Sequence, residues 1–177
     1  MAATVSKFPK LVAFDLDGTL WYPQLYDFRH GGPPFESRGE GILSDRLGKC
    51  CYLAGNSAAI MHELRTDRRW AETKVAVCSC SEEPSWADEC MRKFEIGGGM
   101  TLKEAFDIEE IYVSAKSKHF ESIHKATGIA YEDMLFFDNE EHNCRTVASL
   151  GVTCIHTPRG MTASEWEKGL KEYAMHH

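Results

Sequence analysis

Short apolar runs alternate with amphipathic segments along the chain, and this alternation predicts the order of its elements. Five of the runs are rich in β-branched and aromatic residues and lack strict polar alternation, as is typical of strands buried on both faces of a parallel sheet. They are LVAF at 11–14, KVAVCS at 74–79, EIYV at 110–113, MLFF at 134–137 and VTCIH at 152–156.

The segments between these runs carry apolar residues at helical spacing, together with start and stop signals for helices. We predict five helices: one capped by Asn56 and running to Arg65, one over 83–94, one opened by Ser117 and ended by Gly128, one over 140–150, and one that starts at Thr162 or Ser164. Strand followed by helix, repeated about five times, predicts an α/β fold. We expect a doubly wound, Rossmann-like, mostly parallel sheet with helices on both faces.

Two segments interrupt this pattern. Residues 22–55 are predicted to form a long irregular loop or a short hairpin after the first strand, and residues 95–109 a second surface excursion. Neither is long enough for a large cap domain, so we expect a single domain over 1–177 with an insertion at about 22–55. A loop of that length is uncommon unless it has a task such as covering a site.

Composition narrows the classes of partner. The 177 residues carry a net charge of −7 with scattered basic residues, which argues against nucleic acid and membrane surfaces as partners. No apolar run approaches the ~20 residues of a membrane span, and the start MAATVSKFPK lacks the apolar part of a signal peptide. Seven cysteines without paired CxxC spacing are typical of reduced thiols. We therefore expect a cytoplasmic protein, and the sequence does not indicate its oligomeric state.

Polar side chains follow four of the predicted strands at the edge of the sheet where α/β proteins bind ligands. They are Asp15 and Asp17 after the first strand, Ser79 after the second, Lys116 after the third, and Asp138 with Asn139 after the fourth. Carboxylates two residues apart on a strand point the same way and repel each other unless a cation is present. Mg²⁺ takes oxygen ligands of this kind, and a lysine and a hydroxyl can bind a phosphate group. The sequence thus predicts a magnesium ion held against a phosphate.

These motifs resemble those of a known family. DLDGTLW at 15–21 resembles the first motif of the haloacid-dehalogenase-like (HAD) phosphohydrolases, and Ser79, Lys116 and FFDNEEHN at 136–143 resemble the second, third and fourth. Further segments resemble the eukaryotic magnesium-dependent phosphatase branch: Pro33-Pro34-Phe35, SAKSKHF, HKATG and LGVTCIHTPRGM. The resemblance covers residues from about 8 to about 170.

The resemblance implies a role for each matching residue. Asp15 would be the nucleophile that forms an aspartyl-phosphate, and Asp17 the general acid and base. Ser79 and the amide of Cys80 would bind phosphate oxygens, and Lys116, rather than the nearby Lys118, would bridge phosphate and nucleophile. The metal, Mg²⁺, would be held by Asp15, by the backbone carbonyl of Asp17, and by Asp138 or Asn139.

Two positions depart from the family pattern. Asn139 stands where a metal-binding aspartate is expected, so either Asp138 takes over the coordination or the site binds magnesium weakly. Cys80 stands where close relatives tend to carry arginine, which leaves the identity of the substrate open.

The function predicted from the sequence is a magnesium-dependent phosphomonoester hydrolase. The resemblance allows protein phosphotyrosine or small sugar phosphates as substrates. An alternative, motivated by Asn139 and Cys80, is a degenerate HAD-like domain that binds phosphorylated ligands with weak or no turnover. A receiver-type signalling domain fits less well, because its phosphorylated aspartate normally follows a middle strand and not the first.

Overall fold

A computed structural model describes residues 7–177. The strands are β1 Leu11–Phe14, β2 Trp21–Tyr22, β3 Glu36–Gly39, β4 Ile42–Ser44, β5 Cys50–Leu53, β6 Lys74–Ser79, β7 Glu95–Gly97, β8 Met100–Thr101, β9 Ile108–Ile111, β10 Met134–Asp138 and β11 Thr153–His156. The α-helices are α1 Ser57–Thr66, α2 Pro84–Lys93, α3 Lys116–Thr127, α4 Glu141–Ala148 and α5 Ala163–Met175. Short 3-10 helices lie at Leu25–Phe28, Arg68–Trp70, Lys103–Ala105 and Tyr131–Asp133.

Five parallel strands form the central sheet in the order β11-β10-β1-β6-β9. The first strand lies in the middle, and the chain moves outward to one side of it and then to the other. This arrangement confirms the predicted doubly wound α/β fold. It also brings the carboxyl ends of β1, β6 and β10 side by side, so the polar residues that follow these strands must meet.

The sheet is buried on both faces because its strands alternate between two cores. Val12 and Phe14 belong to the larger core, in which Phe14 and Phe137 pack against Trp166 of α5. Leu11 and Ala13 belong to the smaller core, which includes Phe120 of α3 and Val147 of α4. Burial on both sides explains why these strands are continuously apolar.

Some element boundaries differ from the prediction. The strand predicted at 110–113 lies at Ile108–Ile111, and Val113 is exposed. Helix α3 begins at Lys116 instead of Ser117, and Gly128 ends it in the left-handed conformation as expected. Asn56 precedes α1, but its side chain accepts a hydrogen bond from the Ala163 amide of α5 and does not cap α1.

The segment 22–55 is more regular than the predicted loop or short hairpin. Strands β2 to β5 form a four-stranded antiparallel sheet in the order β2-β5-β4-β3, and we call this segment, together with its 3-10 helix Leu25–Phe28, the insertion. Strands of two to four residues are too short for an alternation of apolar and polar residues to be recognised in the sequence. No large cap domain is present within 7–177.

The insertion is attached to helix α2. The Phe35 amide donates to Glu89 Oε1 at 2.7 Å, and Lys93 donates to the Phe35 carbonyl. Gly32, at φ +79°, lets the backbone approach Trp86, since a Cβ there would lie 2.7 Å from the indole ring. The insertion is thus held against the rest of the chain by contacts on its own backbone.

The segment 95–109 contains the hairpin of β7 and β8, a 3-10 helix and the start of β9. Within the described part of the chain, no helix is long and apolar enough to cross a membrane. All seven cysteines are free thiols, as the sequence predicts.

Gly169 of α5 offers a test of this packing. A Cβ at position 169 would lie 2.5 Å from Cζ of Phe137, a ring that is fully buried on β10. We expect Gly169→Ala to lower the free energy of unfolding by about 1–3 kcal/mol, measured by urea denaturation. Lys171→Ala on the exposed side of the same helix is the control and should change it by no more than about 0.5 kcal/mol. A Gly169→Ala variant as stable as the parent would contradict the described contact of α5 with the sheet.

Candidate active site

The polar residues predicted from the sequence come together at the carboxyl edge of the sheet. A cavity of about 470 Å³ opens there, and its lining includes Asp15, Asp17, Ser79, Cys80 and Asn139. Lys116 and Asp138 lie behind this lining and are buried. The seven predicted site residues therefore lie around one cavity, although they come from four separate parts of the chain.

Lys116 joins the carboxylates beneath the cavity. Its ammonium donates to Asp15 Oδ1 at 2.6 Å and to the Cys78 carbonyl, and it lies 3.3 Å from Asp138 Oδ2. Burial alone would lower the pKa of Lys116, but the charges of Asp15 and Asp138 outweigh this effect and raise it. The lysine therefore stays charged. Lys118, the alternative considered from the sequence, is exposed and pairs with Glu121.

Asp138 is turned towards Lys116 and helix α4. Its carboxylate accepts hydrogen bonds from the Glu140 amide at 2.8 Å and from Asn143 Nδ2 at 3.1 Å, in addition to the ion pair with Lys116. Burial, followed by the charge of Asp15, raises its pKa. Both carboxylate oxygens of Asp138 have partners, and the side chain is not exposed to the cavity. Asp138 is therefore placed to hold Lys116 and to order the start of α4. The structure does not place it as the substitute metal ligand considered above.

Asn139 faces the two motif-one aspartates. The tip of its side-chain amide lies 3.2 Å from Asp15 Oδ2 and 3.0 Å from the backbone carbonyl oxygen of Asp17. With nitrogen at this tip, the amide donates to both oxygens. With oxygen at the tip, three oxygens converge with no proton between them, which is an arrangement that requires a cation.

These three oxygens fit a magnesium ion. The two separations from the Asn139 side chain, 3.2 and 3.0 Å, are close to the roughly 3 Å between adjacent ligands of an octahedral Mg²⁺ with bonds of ~2.0–2.1 Å. Among residues 7–177, no group of three His, Cys, Asp or Glu side chains could hold a metal. A site with one carboxylate and two neutral oxygens is sufficient for Mg²⁺, which keeps several waters. Asp15, the Asp17 carbonyl and Asn139 are thus the residues that would hold it.

Thr19 and Gly18 keep Asn139 in place. Thr19 is fully buried. Its hydroxyl accepts a hydrogen bond from the backbone N–H of Asn139 at 3.0 Å and donates to Asp15 Oδ2 at 3.4 Å. Gly18 has φ +81°, and a Cβ there would lie 2.5 Å from the Asn139 side chain. The glycine of the motif therefore serves both the turn out of β1 and the close approach of Asn139.

The Asp17 carboxylate is oriented by the start of the insertion. Its Oδ1 accepts from Trp21 Nε1 at 2.7 Å and from the Leu25 amide at 3.0 Å. Burial, partly offset by the Trp21 hydrogen bond and reinforced by the Asp15 charge, raises the pKa of Asp17 to about 6. The two hydrogen bonds occupy one oxygen and leave the other for chemistry in the cavity.

Ser79 and Cys80 form the opposite wall of the cavity. Ser79 Oγ accepts from the Ser81 amide at 3.2 Å, so its own proton remains available to an anion. The Cys80 thiol donates to the Ser114 carbonyl at 3.1 Å, and burial raises its pKa. The thiol therefore stays protonated, and any contribution of Cys80 to anion binding comes from its backbone amide.

Sequence reasoning missed part of the site. Trp21, Tyr26 and Thr19 are not among the predicted site residues, although Thr19 and Trp21 lie within the first-motif segment DLDGTLW. Arg29 carries no signal in the sequence, because its place depends on how the insertion docks. Asn143 is the last residue of the segment FFDNEEHN, and its place in that motif is the one signal that could have indicated it.

The fold and this site define a class. HAD-like phosphohydrolases share this architecture. They have a doubly wound parallel sheet, paired aspartates after the first strand, a buried lysine after another strand, and oxygen ligands for a divalent cation. The chain belongs to the acid phosphatase family, whose model matches residues 7–176. The class predicted from the sequence, a HAD-like magnesium-dependent phosphatase, is thereby confirmed.

Individual relatives agree with this assignment. The chain is 34% identical over 170 residues to magnesium-dependent phosphatase 1 of Homo sapiens, covering 96% of this chain and 90% of that protein. It is 34% identical over 154 residues to a HAD-like hydrolase superfamily protein of Schizosaccharomyces pombe, covering 83% and 84%. The fold is similar, with a TM-score of 0.61 and 16% identity, to a HAD family enzyme of Bacteroides thetaiotaomicron solved as a magnesium complex, covering 90% of this chain and 98% of that one.

Asn139→Asp tests the oxygen cluster without a measurement of activity. Without metal, the new carboxylate would face two oxygens at 3.0–3.2 Å, so we expect a lower melting temperature than that of the parent. With Mg²⁺ the carboxylate becomes a better ligand. We therefore expect tighter Mg²⁺ binding by calorimetry and a larger rise in melting temperature on addition of Mg²⁺.

Asn143→Asp is the control for an added charge, because Asn143 lies four residues further along, in helix α4, and is bonded to Asp138. It should show no tighter binding of Mg²⁺. Unchanged Mg²⁺ affinity in Asn139→Asp would exclude Asn139 as a ligand.

Proposed function

We propose that the protein hydrolyses phosphomonoesters through an aspartyl-phosphate formed on Asp15, with Mg²⁺ as cofactor. The observation that carries this proposal is the Asp15 carboxylate itself. It lines the cavity, and its Oδ1 is fixed by the charged Lys116 at 2.6 Å. A lysine and a metal ion beside it lower the repulsion between this carboxylate and an anionic ester.

The first half of the proposed reaction transfers the phosphoryl group. A carboxylate oxygen of Asp15 attacks phosphorus, the bond between phosphorus and the ester oxygen breaks, and the leaving oxygen takes the proton of Asp17. The Ser79 hydroxyl and nearby backbone amides stabilise charge on the phosphoryl oxygens, and the charge of Lys116 acts on them from behind Asp15. A bound Mg²⁺ would supply neutralisation of the phosphoryl charge.

The second half regenerates the enzyme. Asp17, now deprotonated, takes a proton from water, whose oxygen attacks phosphorus and releases Asp15 and inorganic phosphate. A group that gives and then takes a proton works best with a pKa near the operating pH, and the pKa of about 6 at Asp17 is close to that range. The free oxygen of this carboxylate is the one available for both steps.

The substrate is proposed to be protein phosphotyrosine or a small sugar phosphate. Two aromatic side chains line the cavity beyond the phosphate end, Tyr26 from the insertion and Trp86 from α2. Such side chains can stack on a phenol ring or on the apolar face of a sugar. Both substrate classes are compatible with this wall.

Asp15→Asn tests the proposed intermediate. We expect the parent to release phosphate only when Mg²⁺ is present and to form a hydroxylamine-labile phosphoenzyme in rapid-quench experiments with a ³²P-labelled ester. Asp15→Asn should do neither, with a loss of rate of at least about 10³-fold, since the nucleophile is absent.

Asp88→Asn is the control for loss of one acid, because Asp88 is a half-buried carboxylate on α2 that pairs with Arg92 and does not line the cavity. Equal rates for the parent and Asp15→Asn would exclude the mechanism. Binding of phosphate by the parent without any turnover would favour the degenerate alternative.

Trp21→Phe tests the positioning of Asp17. The ring can still pack on Phe94, but the carboxylate loses the indole hydrogen bond, which raises the pKa of Asp17 further. We expect kcat to fall about tenfold with little change in KM. We also expect the alkaline limb of the kcat/KM profile, which requires protonated Asp17, to move to higher pH.

Trp70→Phe is the matched control, because Trp70 is equally buried and its Nε1 donates at 3.1 Å to Glu63, away from the cavity. It should lower stability without moving the pH profile. The same profile in Trp21→Phe as in the parent would show that the hydrogen bond is merely structural.

A further inference from the structure

The 3-10 helix of the insertion has two distinct faces. Residues three apart lie on one face of such a helix. Leu25 and Phe28 form the buried face, and Phe28 packs against Phe35. Tyr26 and the capping residue Arg29 are exposed, and both line the cavity. The buried face therefore fixes an aromatic ring and a guanidinium side by side on the cavity wall.

The Arg29 guanidinium has no partner in the described part of the chain. No carboxylate lies within ion-pair distance of it, and only its backbone amide is engaged, donating to the Tyr26 carbonyl at 3.2 Å. Other basic side chains near the cavity are committed: Lys116 to Asp15, and Lys49 to the Asp27 carbonyl. Arg29 is thus the one basic residue on the described cavity surface.

The position of Arg29 along the 3-10 helix, relative to the residue that contacts Asp17, suits a small leaving group. The Leu25 amide at the start of this helix lies 3.0 Å from Asp17 Oδ1. Four residues at a rise of about 2 Å each place the Arg29 backbone roughly 8 Å further along. A ring attached to the phosphate would span much of this distance.

We propose that Arg29 selects phosphomonoesters whose leaving group carries a second acidic group, a carboxylate. This rests on the phosphatase function proposed above and goes beyond it by assigning the far end of the substrate. Three further acids line the cavity, Glu82, Glu83 and Glu140, and they disfavour leaving groups of high negative charge. A single carboxylate forms a bidentate pair with a guanidinium.

Three aryl phosphates of similar size test this assignment. They are phenyl phosphate, 4-carboxyphenyl phosphate and 4-(aminomethyl)phenyl phosphate, each measured as kcat/KM with Mg²⁺ at one ionic strength. The intrinsic reactivity of each ester cancels when a variant is compared with the parent on the same ester. The parent should prefer the carboxylated ester once its kcat/KM is corrected for leaving-group reactivity with the uncatalysed rate.

The variants are Arg29→Ala and Arg29→Glu, with Arg46→Ala as control. Arg46 is exposed in the same insertion but does not line the cavity. We expect Arg29→Ala to reduce kcat/KM for the carboxylated ester about tenfold more than for phenyl phosphate. Arg29→Glu should move the preference to the aminomethyl ester, whereas Arg46→Ala should affect all three esters alike.

Two results would overturn the proposal: an equal effect of Arg29→Ala on all three esters, or a parent that prefers the cationic ester because the three glutamates dominate. If the parent hydrolyses none of the esters and no sugar phosphate, the proposed function fails instead. Arg29 is then judged by equilibrium binding of the carboxylated and unsubstituted esters to the parent and to Arg29→Ala. Loss of the difference in affinity supports its role, and an unchanged difference rejects it.

Discussion

The ammonium of Lys116 is the contact on which the rest of the site depends. It lies between Asp15 and Asp138, 2.6 and 3.3 Å from their oxygens, with a side chain that is about 1% exposed. A buried ammonium without such partners would lose its proton, and two buried carboxylates without it would take protons up. The two carboxylates therefore keep the lysine charged, and the lysine offsets the repulsion between them. Asp15 is thereby held in a fixed position at the base of the cavity.

The insertion positions a second carboxylate, that of Asp17, and forms part of the cavity wall. Trp21 and the Leu25 amide hold one oxygen of Asp17, and the same short helix carries Tyr26 and Arg29 along the cavity wall. On the other side, Glu89 and Lys93 tie the Phe35 backbone to α2. Orientation of the Asp17 carboxylate and one wall of the cavity thus come from one stretch of chain, which explains why so long a segment lies between β1 and α1.

The central sheet could be predicted because it depends on a local signal, the buried apolar strands. The meeting of Asp15, Asp17, Ser79 and Asn139 at one cavity could be predicted because these residues follow such strands, whereas Cys80 is indicated only by the family resemblance. The sheet of the insertion could not, because strands as short as Trp21–Tyr22 have no readable periodicity. The predicted position of β9 was wrong by two residues. Ile108–Ile111 is an edge strand whose side chains are partly exposed, so its buried and exposed positions alternate only weakly. The sequence also could not show whether Asp138 is a metal ligand. The direction of its side chain decides which group the carboxylate contacts, and that direction depends on packing.

Asn139 changes the charge balance of the site in a way that bears on catalysis. In the proposed mechanism Asp17 carries a proton when the substrate arrives, so Asp15 and Asp138 against Lys116 leave one negative charge, and a bound Mg²⁺ would make the site positive. An aspartate at 139 would bind the metal more tightly but would cancel this positive charge towards an incoming phosphate dianion. The neutral amide sacrifices part of the affinity for the metal, and its nitrogen can donate to Asp15 and Asp17 whenever the metal is absent. A weaker ligand for the cation is therefore consistent with a working phosphatase, because it lowers the repulsion of the substrate and keeps the cluster satisfied between metal-binding events.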